Sequence, residues 1–420
     1  MKELLKAFAV LLTLNLFLTT VSLAQMYGSV SVSGGYSDNI FRSANSTDDG
    51  AGLASLSLGY EPGESWLVQY SGYGSLFQSN SDRNYTIHSL GAMFYTPLQD
   101  KDVTTLSLYA GASSRLDRSS YSYYDYTQWL GRVKVRHNFT PTAFLTGSYQ
   151  LRQRRYPDFN DLSYVEQYAS LAFSISFQTR TSVRLSMDYG LKNYSSLSVV
   201  AEDNTSGGGT PGGGNGHGGM GGGNNIGGGS HMEDGWNGMR RHYAGGSGDV
   251  HYLVYDNPSS SQAVLRFRVA QSLWENAGIR FQYEHRFNLA DRGRSYIGST
   301  VDYLGEEELF DDPYSYEGPG GQVAFTQLMP WSMKVVLSAE VYDKTYSYPV
   351  IAVDPDLQSE EERKDLEFLS WVRWEKGLPG FGMLERISIS TTYFFIRNQS
   401  NTPFFDYHAN SIQIGVRGDF

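Results

Sequence analysis

Residues 411–420 read Ser411-Ile412-Gln413-Ile414-Gly415-Val416-Arg417-Gly418-Asp419-Phe420, and this stretch decides the fold class. Successive side chains of a strand point to opposite faces. Ile412, Ile414, Val416, Gly418 and Phe420 therefore share one face, and Ser411, Gln413, Arg417 and Asp419 the other. The first face suits lipid and the second suits water.

The same two-sided code recurs along the chain. Trp129, Gly131, Val133 and Val135 alternate with Arg132, Lys134 and Arg136. Leu145, Gly147, Tyr149 and Leu151 alternate with Thr146, Ser148, Gln150, Arg152 and Arg154. Leu171, Phe173 and Ile175 stand against Ser170, Ser174 and Ser176, and Val183, Leu185 and Met187 against Arg184, Ser186 and Asp188. Leu265, Phe267 and Val269 oppose Arg266 and Arg268, while Ile279, Phe281 and Tyr283 oppose Arg280, Gln282, Glu284 and Arg286. A soluble sandwich also alternates, but it hides its apolar face in a core and seldom sets so many arginines in register opposite that face.

Composition points the same way. The 420 residues include 46 Gly, 31 Tyr, 22 Phe and 7 Trp but no Cys, so a disulfide framework is excluded and a closed hydrogen-bond ladder must supply the stability. Helical periodicity is missing nearly everywhere, and past the N-terminus no run is apolar enough to cross a bilayer as a helix. At that N-terminus Lys2 and Lys6 flank or interrupt an apolar run from Leu4 to Leu23, and Ser22-Leu23-Ala24 places small residues where a signal peptidase cuts before Gln25. The expected organisation is a signal peptide over 1–24 and a barrel over 25–420.

Turn signals set the strand number. Short turns centre on Glu61-Pro62-Gly63-Glu64, Leu98-Gln99-Asp100-Lys101, Thr140-Pro141-Thr142, Gln178-Thr179-Arg180-Thr181, Trp274-Glu275-Asn276-Ala277, Pro330-Trp331 and Lys376-Gly377-Leu378-Pro379-Gly380. Longer polar connections, near 38–50, 78–84, 113–126, 155–163, 195–261, 290–319, 345–366 and 398–406, alternate strictly with them. Seven short turns account for fourteen strands, and a first strand near Gly28 and a last ending at Phe420 make sixteen. The sequence thus predicts an all-β, antiparallel up-and-down transmembrane barrel of about sixteen strands (14–18), with both termini on the short-turn side. Val250–Tyr255 and Ser295–Val301 alternate well enough to be strands or protruding hairpins; sixteen is kept because one added strand would break the even number.

The 195–261 connection is a glycine-rich island, Gly207-Gly208-Gly209-Thr210-Pro211-Gly212-Gly213-Gly214 through Gly227-Gly228-Gly229, expected to be a disordered excursion outside the cell. A phosphate-cradling loop needs a preceding strand, a following helix and usually Gly-Lys-Ser/Thr, none of which is present. His217, His231 and His242 lack a metal-ligand spacing.

A strand that alternates this way and ends a chain on an aromatic residue resembles the closing strand of bacterial outer-membrane barrels, which implies an outer-membrane location, lipid and lipopolysaccharide as neighbours, and Phe420 as the signal read by the barrel assembly machinery. Tyr36-Ser37-Asp38-Asn39-Ile40-Phe41 resembles the Tyr-x-Asp-Asn-Ile/Val-Phe segment that opens several β-barrel porin families, some linked to exopolysaccharide systems. Arg397-Asn398-Gln399-Ser400-Asn401-Thr402-Pro403-Phe404-Phe405-Asp406-Tyr407 resembles the last hairpin of barrels of the surface-lipoprotein-assembly-modifier type. With the first strand beginning close to the expected cleavage site, neither the tetratricopeptide region of those modifiers nor the plug domain of TonB-dependent transporters is expected ahead of it.

Function rests on charge segregation. The chain is acidic overall, at −11. Yet the inward faces collect Arg132, Lys134, Arg136, Arg152, Arg154, Arg184, Lys192, Arg266, Arg268, Arg280 and Arg286 against Glu166, Asp188 and Glu284, while much of the acid lies in Glu306–Asp312 and Glu360–Glu362. A basic lumen favours anions by local potential. The expectation is a porin-like conduit for hydrophilic, anionic solutes or polysaccharide chains, with a plugged structural or surface-assembly barrel as the alternative, in which the arginines pair with those carboxylates or with an inward-folded acidic loop. His88, His137, His285 and His408 lie on strands and read as membrane-interface histidines, His137 without an evident Ser or Asp partner by spacing, so catalysis is not expected. No cofactor, metal or nucleic-acid partner is expected.

Overall fold

A computed structural model describes residues 26–99, 103–158, 160, 163–195, 198–202, 251–255, 259–290, 312–349 and 361–420. The strands are β1 (Met26–Ser37), β2 (Asp49–Gly63), β3 (Trp66–Phe77), β4 (Tyr85–Pro97), β5 (Thr104–Asp117), β6 (Tyr126–Thr140), β7 (Ala143–Arg155), β8 (Tyr164–Ser176), β9 (Thr181–Tyr194), β10 (Ser198–Glu202), β11 (His251–Tyr255), β12 (Ser259–Trp274), β13 (Ala277–Asn288), β14 (Tyr316–Met329), β15 (Met333–Pro349), β16 (Glu362–Pro379), β17 (Arg386–Ser400) and β18 (Tyr407–Asp419). All but β10 and β11 form one closed antiparallel barrel of sixteen strands in sequence order, with β1 pairing β18 across the seam.

Closure leaves no unpaired edge, which is the condition a sheet must meet to sit in hydrocarbon. The outer surface meets the other condition. Leu90, Trp129, Leu151, Leu171, Leu185, Met187, Phe281, Val372, Ile414 and Val416 are all exposed on the face away from the lumen. No helix among the described residues is long and apolar enough to cross a membrane. The class that fold and surface define is a membrane-spanning β-barrel.

The seam explains the terminal residue. The Phe420 amide donates to the Gly28 carbonyl at 3.0 Å and the Gly28 amide to the Phe420 carbonyl at 2.7 Å, extending the β1–β18 ladder by one pair. The Phe420 ring covers Gly28 so closely that a Cβ built there would lie 2.7 Å from it. Gly28 is therefore the space the last ring occupies.

Two turn assignments change: Glu61, Pro62 and Gly63 belong to the end of β2, and the chain reverses at Glu64 and Ser65. The residues 376–380 do not form a turn: Lys376, Gly377, Leu378 and Pro379 pair with Ile389, Ser388, Ile387 and Arg386, and the chain reverses over 380–385. Gly and Pro mark a turn by composition, but Pro379 is the last strand residue, where a missing N–H costs nothing. In the long 195–261 connection, His251–Tyr255 forms a ribbon with Ser198–Glu202 apart from the barrel, so the strand number stays at sixteen. The segments 1–24, 203–250 and Ser295–Val301 lie outside the described residues.

Candidate functional site: the lumen wall

Strand alternation delivers the inward side chains, and their height on the wall divides them into two tiers. In the half toward the short turns, Gly131 to Arg136 of β6 are exposed at every position. Both faces of the strand there border open space: the apolar side chains face the exterior, and Arg132, Lys134 and Arg136 face the lumen. Arg132 donates to the Gln150 amide oxygen at 2.8 Å, Arg268 to that of Gln282 at 2.7 Å, Arg280 to that of Gln322 at 3.1 Å, and Arg136 to Asn138 at 2.9 Å while lying over the Phe144 ring. Arg184 sits directly opposite Arg268 in the β9–β12 pair. Among the described residues none of these six cations forms an ion pair. Neutral amides orient the guanidinium groups without cancelling their charge.

The tier toward the long loops is the reverse case, buried or half-buried and mostly paired with carboxylates. Arg152 donates to Glu166 at 2.7 Å, Arg266 bonds to Asp188 and to Glu284 at 3.1 Å, and Arg286 meets Glu284 at 3.0 Å. Arg154 is buried, bonded to Gln128 and Tyr156 and stacked 4.2 Å over Tyr126. The eleven arginines and lysines of the expected lumen thus share a face but not an electrostatic role.

A segment of chain between β13 and β14 completes this tier. Asp312 folds inward and accepts from Lys192 Nζ at 2.7 Å, from the Tyr194 hydroxyl and from the Tyr314 amide at 3.1 Å. Lys192 is 1% exposed and Asp312 5%. The Tyr314 hydroxyl donates to Glu166 at 2.9 Å, and the Gln262 amide holds the Pro313 and Tyr316 carbonyls at 2.6 and 2.9 Å. The segment 312–316 is thereby latched across β13 and β12 onto β9 and β8. Asp312 is the one member of the acidic run 306–312 within the described residues.

Beside the latch, Ser119–Tyr124 folds as a 3-10 turn over a tyrosine core of Tyr121, Tyr123, Tyr124, Tyr126, Tyr156, Tyr164 and Tyr194. Burial pushes the Tyr121 phenol up to about 12, against a smaller opposing pull from Arg83, and pushes those of Tyr123 and Tyr314 up further. A folded state that favours the neutral phenol loses stability as pH rises from the unfolded value near 10 toward 12. Alkaline titration followed at 295 nm should accordingly show a late-ionising phenol fraction whose onset coincides with loosening of this cap, and Tyr121→Phe should remove part of it.

The two short motifs serve as packing at the same rim. Asn39 donates to the Ser43 and His408 carbonyls at 2.8 and 3.0 Å, Asp38 accepts from the Asn410 amide at 2.6 Å, and Ile40 is 1% exposed against Phe77 and Tyr85. Asn398 donates to Asp365 and the Phe405 carbonyl, and Arg397 pairs with Asp406 at 2.7 Å. Sequence reading quoted both motifs but missed this role, and it missed the tyrosine core although Tyr121-Ser122-Tyr123-Tyr124-Asp125-Tyr126 is conspicuous.

Three of the strand histidines bond neighbouring hydroxyl groups. His88 bonds Tyr70, His137 bonds Thr104 and meets the Phe139 ring edge to face, and His285 bonds Tyr283. No group of metal-binding side chains occurs among the described residues.

A scan of protein-family models and a search of curated proteins return no match. Similar solved structures include OccAB1 of Acinetobacter baumannii (11% identity, TM-score 0.46, covering 94% of this chain and 96% of that one). OpdL of Pseudomonas aeruginosa (10%, 0.45, 94% and 98%) and a bacterial polysaccharide outer membrane secretin (8%, 0.45, 94% and 98%) are alike to a similar degree. At such identity and overlap the likeness carries no assignment of function.

Proposed function

We propose that this chain is an outer-membrane channel through which small hydrophilic anions pass passively, with the long connections outside the cell and the short turns in the periplasm. The observation that carries the reading is the tier of Arg132, Lys134, Arg136, Arg184 and Arg268, which faces inward yet is exposed, and which meets no carboxylate among the described residues. Water must reach these side chains inside the barrel, and their summed potential favours anions.

A plugged scaffold is the second reading, favoured by the buried, charge-paired tier and the latched 312–316 segment. Conductance of the refolded protein separates the two, because a scaffold is silent. For the channel, a salt gradient should give an anion-selective reversal potential. That preference should fade between 0.1 and 1 M salt, as the Debye length falls from about 10 to about 3 Å. Arg132→Gln with Arg268→Gln should move the reversal potential toward cations; a folded double variant of unchanged selectivity would remove the basic tier from the mechanism.

A further inference from the structure

On the opposite wall, β15 to β18 and β1 build a cavity of about 470 Å³ toward the short-turn end, lined by hydroxyl and charged side chains. It lies in the size range of small-molecule sites, about 300–1,000 Å³. Its floor is Gly415, where an added Cβ would come 3.0 Å from the Ser33 side chain and 3.6 Å from Ser390 Oγ. Pairing sets Thr392 beside Gln413 and Arg373, and Ser388 beside Arg417. Arg373, Arg386 and Arg417 thus rim a hydroxyl-lined floor. Arg417 bonds Asp419 at 2.8 Å, Arg373 lies 3.9 Å from a Glu375 that Lys334 holds at 3.0 Å, and Arg386 has no ion pair among the described residues. Lys334, Arg373, Arg386 and Arg417 against Glu375 and Asp419 leave the cavity net positive.

One step up the same strands the character changes. Trp371 and Phe394 stand opposite each other in the β16–β17 pair with ring centroids 6.5 Å apart. Both belong to the inward phase of their strands, since Val372 and Tyr393 between them are exposed on the outer face. Trp371 also lines an adjoining cavity together with Arg180, Ser182 and Arg280, which places its ring in the lumen.

We propose that this wall is a binding site for a hydroxylated carboxylate of monosaccharide size, a sugar acid. The carboxylate sits among Arg373, Arg386 and Arg417, because guanidinium pairs with carboxylate in a two-pronged, charge-assisted way. The hydroxyls bond to Ser33, Ser388, Ser390 and Thr392, and the C–H face of the ring lies on Trp371 and Phe394. A bare inorganic anion would use only the arginines, and a neutral sugar only the rings and hydroxyls; the site holds both sets within one wall. The inference deepens the channel reading by naming a solute class, and it adds residues outside the basic tier of β6 to β13.

Calorimetry on the refolded, full-length barrel in detergent tests it without requiring conduction, with glucuronate and glucose as matched probes. Glucuronate should bind at least about tenfold more tightly than glucose, and Arg386→Gln with Arg417→Gln should remove that margin while leaving glucose unchanged. Trp371→Ala should weaken both sugars, and Arg118→Gln, at the opposite rim, neither. If the double variant fails to refold, Arg386→Gln alone reports the same margin. Equal binding of the two sugars, no glucuronate binding, or an equal loss in Arg118→Gln overturns the site. A barrel that conducts without binding glucuronate sinks the site alone, whereas one that binds glucuronate but is silent sinks the channel and leaves the site.

Discussion

Lys192→Met is expected to open the latched mouth. The substitution keeps the length and packing of the side chain but leaves the Asp312 carboxylate buried without its cation, and breaking a buried pair from one side costs about 3–5 kcal/mol. Because Asp312 belongs to the inward-folded segment and Lys192 to the barrel wall, the cost falls on the docked state of 312–316 and not on the strand ladder. At 1.36 kcal/mol per decade the docking equilibrium constant should fall by a factor on the order of 10² to 10⁴. Conductance should rise, and chymotrypsin added from the long-loop side should cut after Tyr314 and Tyr316, both 8% exposed in the docked state. Lys192→Met combined with Asp312→Leu should recover part of the protection, because removing both ends leaves no uncompensated charge. Unchanged conductance together with unchanged protection would show that the Gln262 contacts and Tyr314 hold the segment unaided.

Deletion of Phe420 is expected to reduce the inserted protein severely, whereas Phe420→Tyr should leave it nearly unchanged. The deletion removes two backbone hydrogen bonds at the seam and uncovers Gly28, and both losses fall on the one strand pair that closes the barrel. Local chemistry separates this from a purely packing effect. Gly28→Leu forces the ring aside and presses on the Ser57 carbonyl of β2 but retains the terminal aromatic, so it should lower heat resistance on a gel more than it lowers the amount inserted. The idea fails if membrane levels of the deletion match those of the intact chain.

How much of this was legible beforehand follows from the range of each interaction. Alternation is a period-two property of neighbouring residues, so Ile412, Ile414 and Val416 reveal the outward face wherever β18 ends up in the sheet, and Arg132 and Arg268 reveal the inward one. Turn residues are equally local, and they gave sixteen strands because β10 and β11 add to neither side of the barrel. They misled at 61–63 and at 376–380, where Pro62 with Gly63 and Gly377 with Pro379 fit inside the end of a strand.

Which arginines are spent on carboxylates could not be read from the chain. Arg132 and Arg152 occupy the same face of adjacent strands by the same rule, yet one bonds a neutral amide and the other Glu166. The difference is height on the wall and the arrival of a loop. Lys192 meets Asp312 across 120 positions of sequence, through two intervening strands and an inward fold that no local period encodes. The sequence by itself determined a closed barrel with a lipid-compatible exterior and a basic inner face. Only the tertiary structure decided where that face is open to water and where it is neutralised, because charge cancellation depends on three-dimensional neighbours while side-chain facing depends on strand pitch alone.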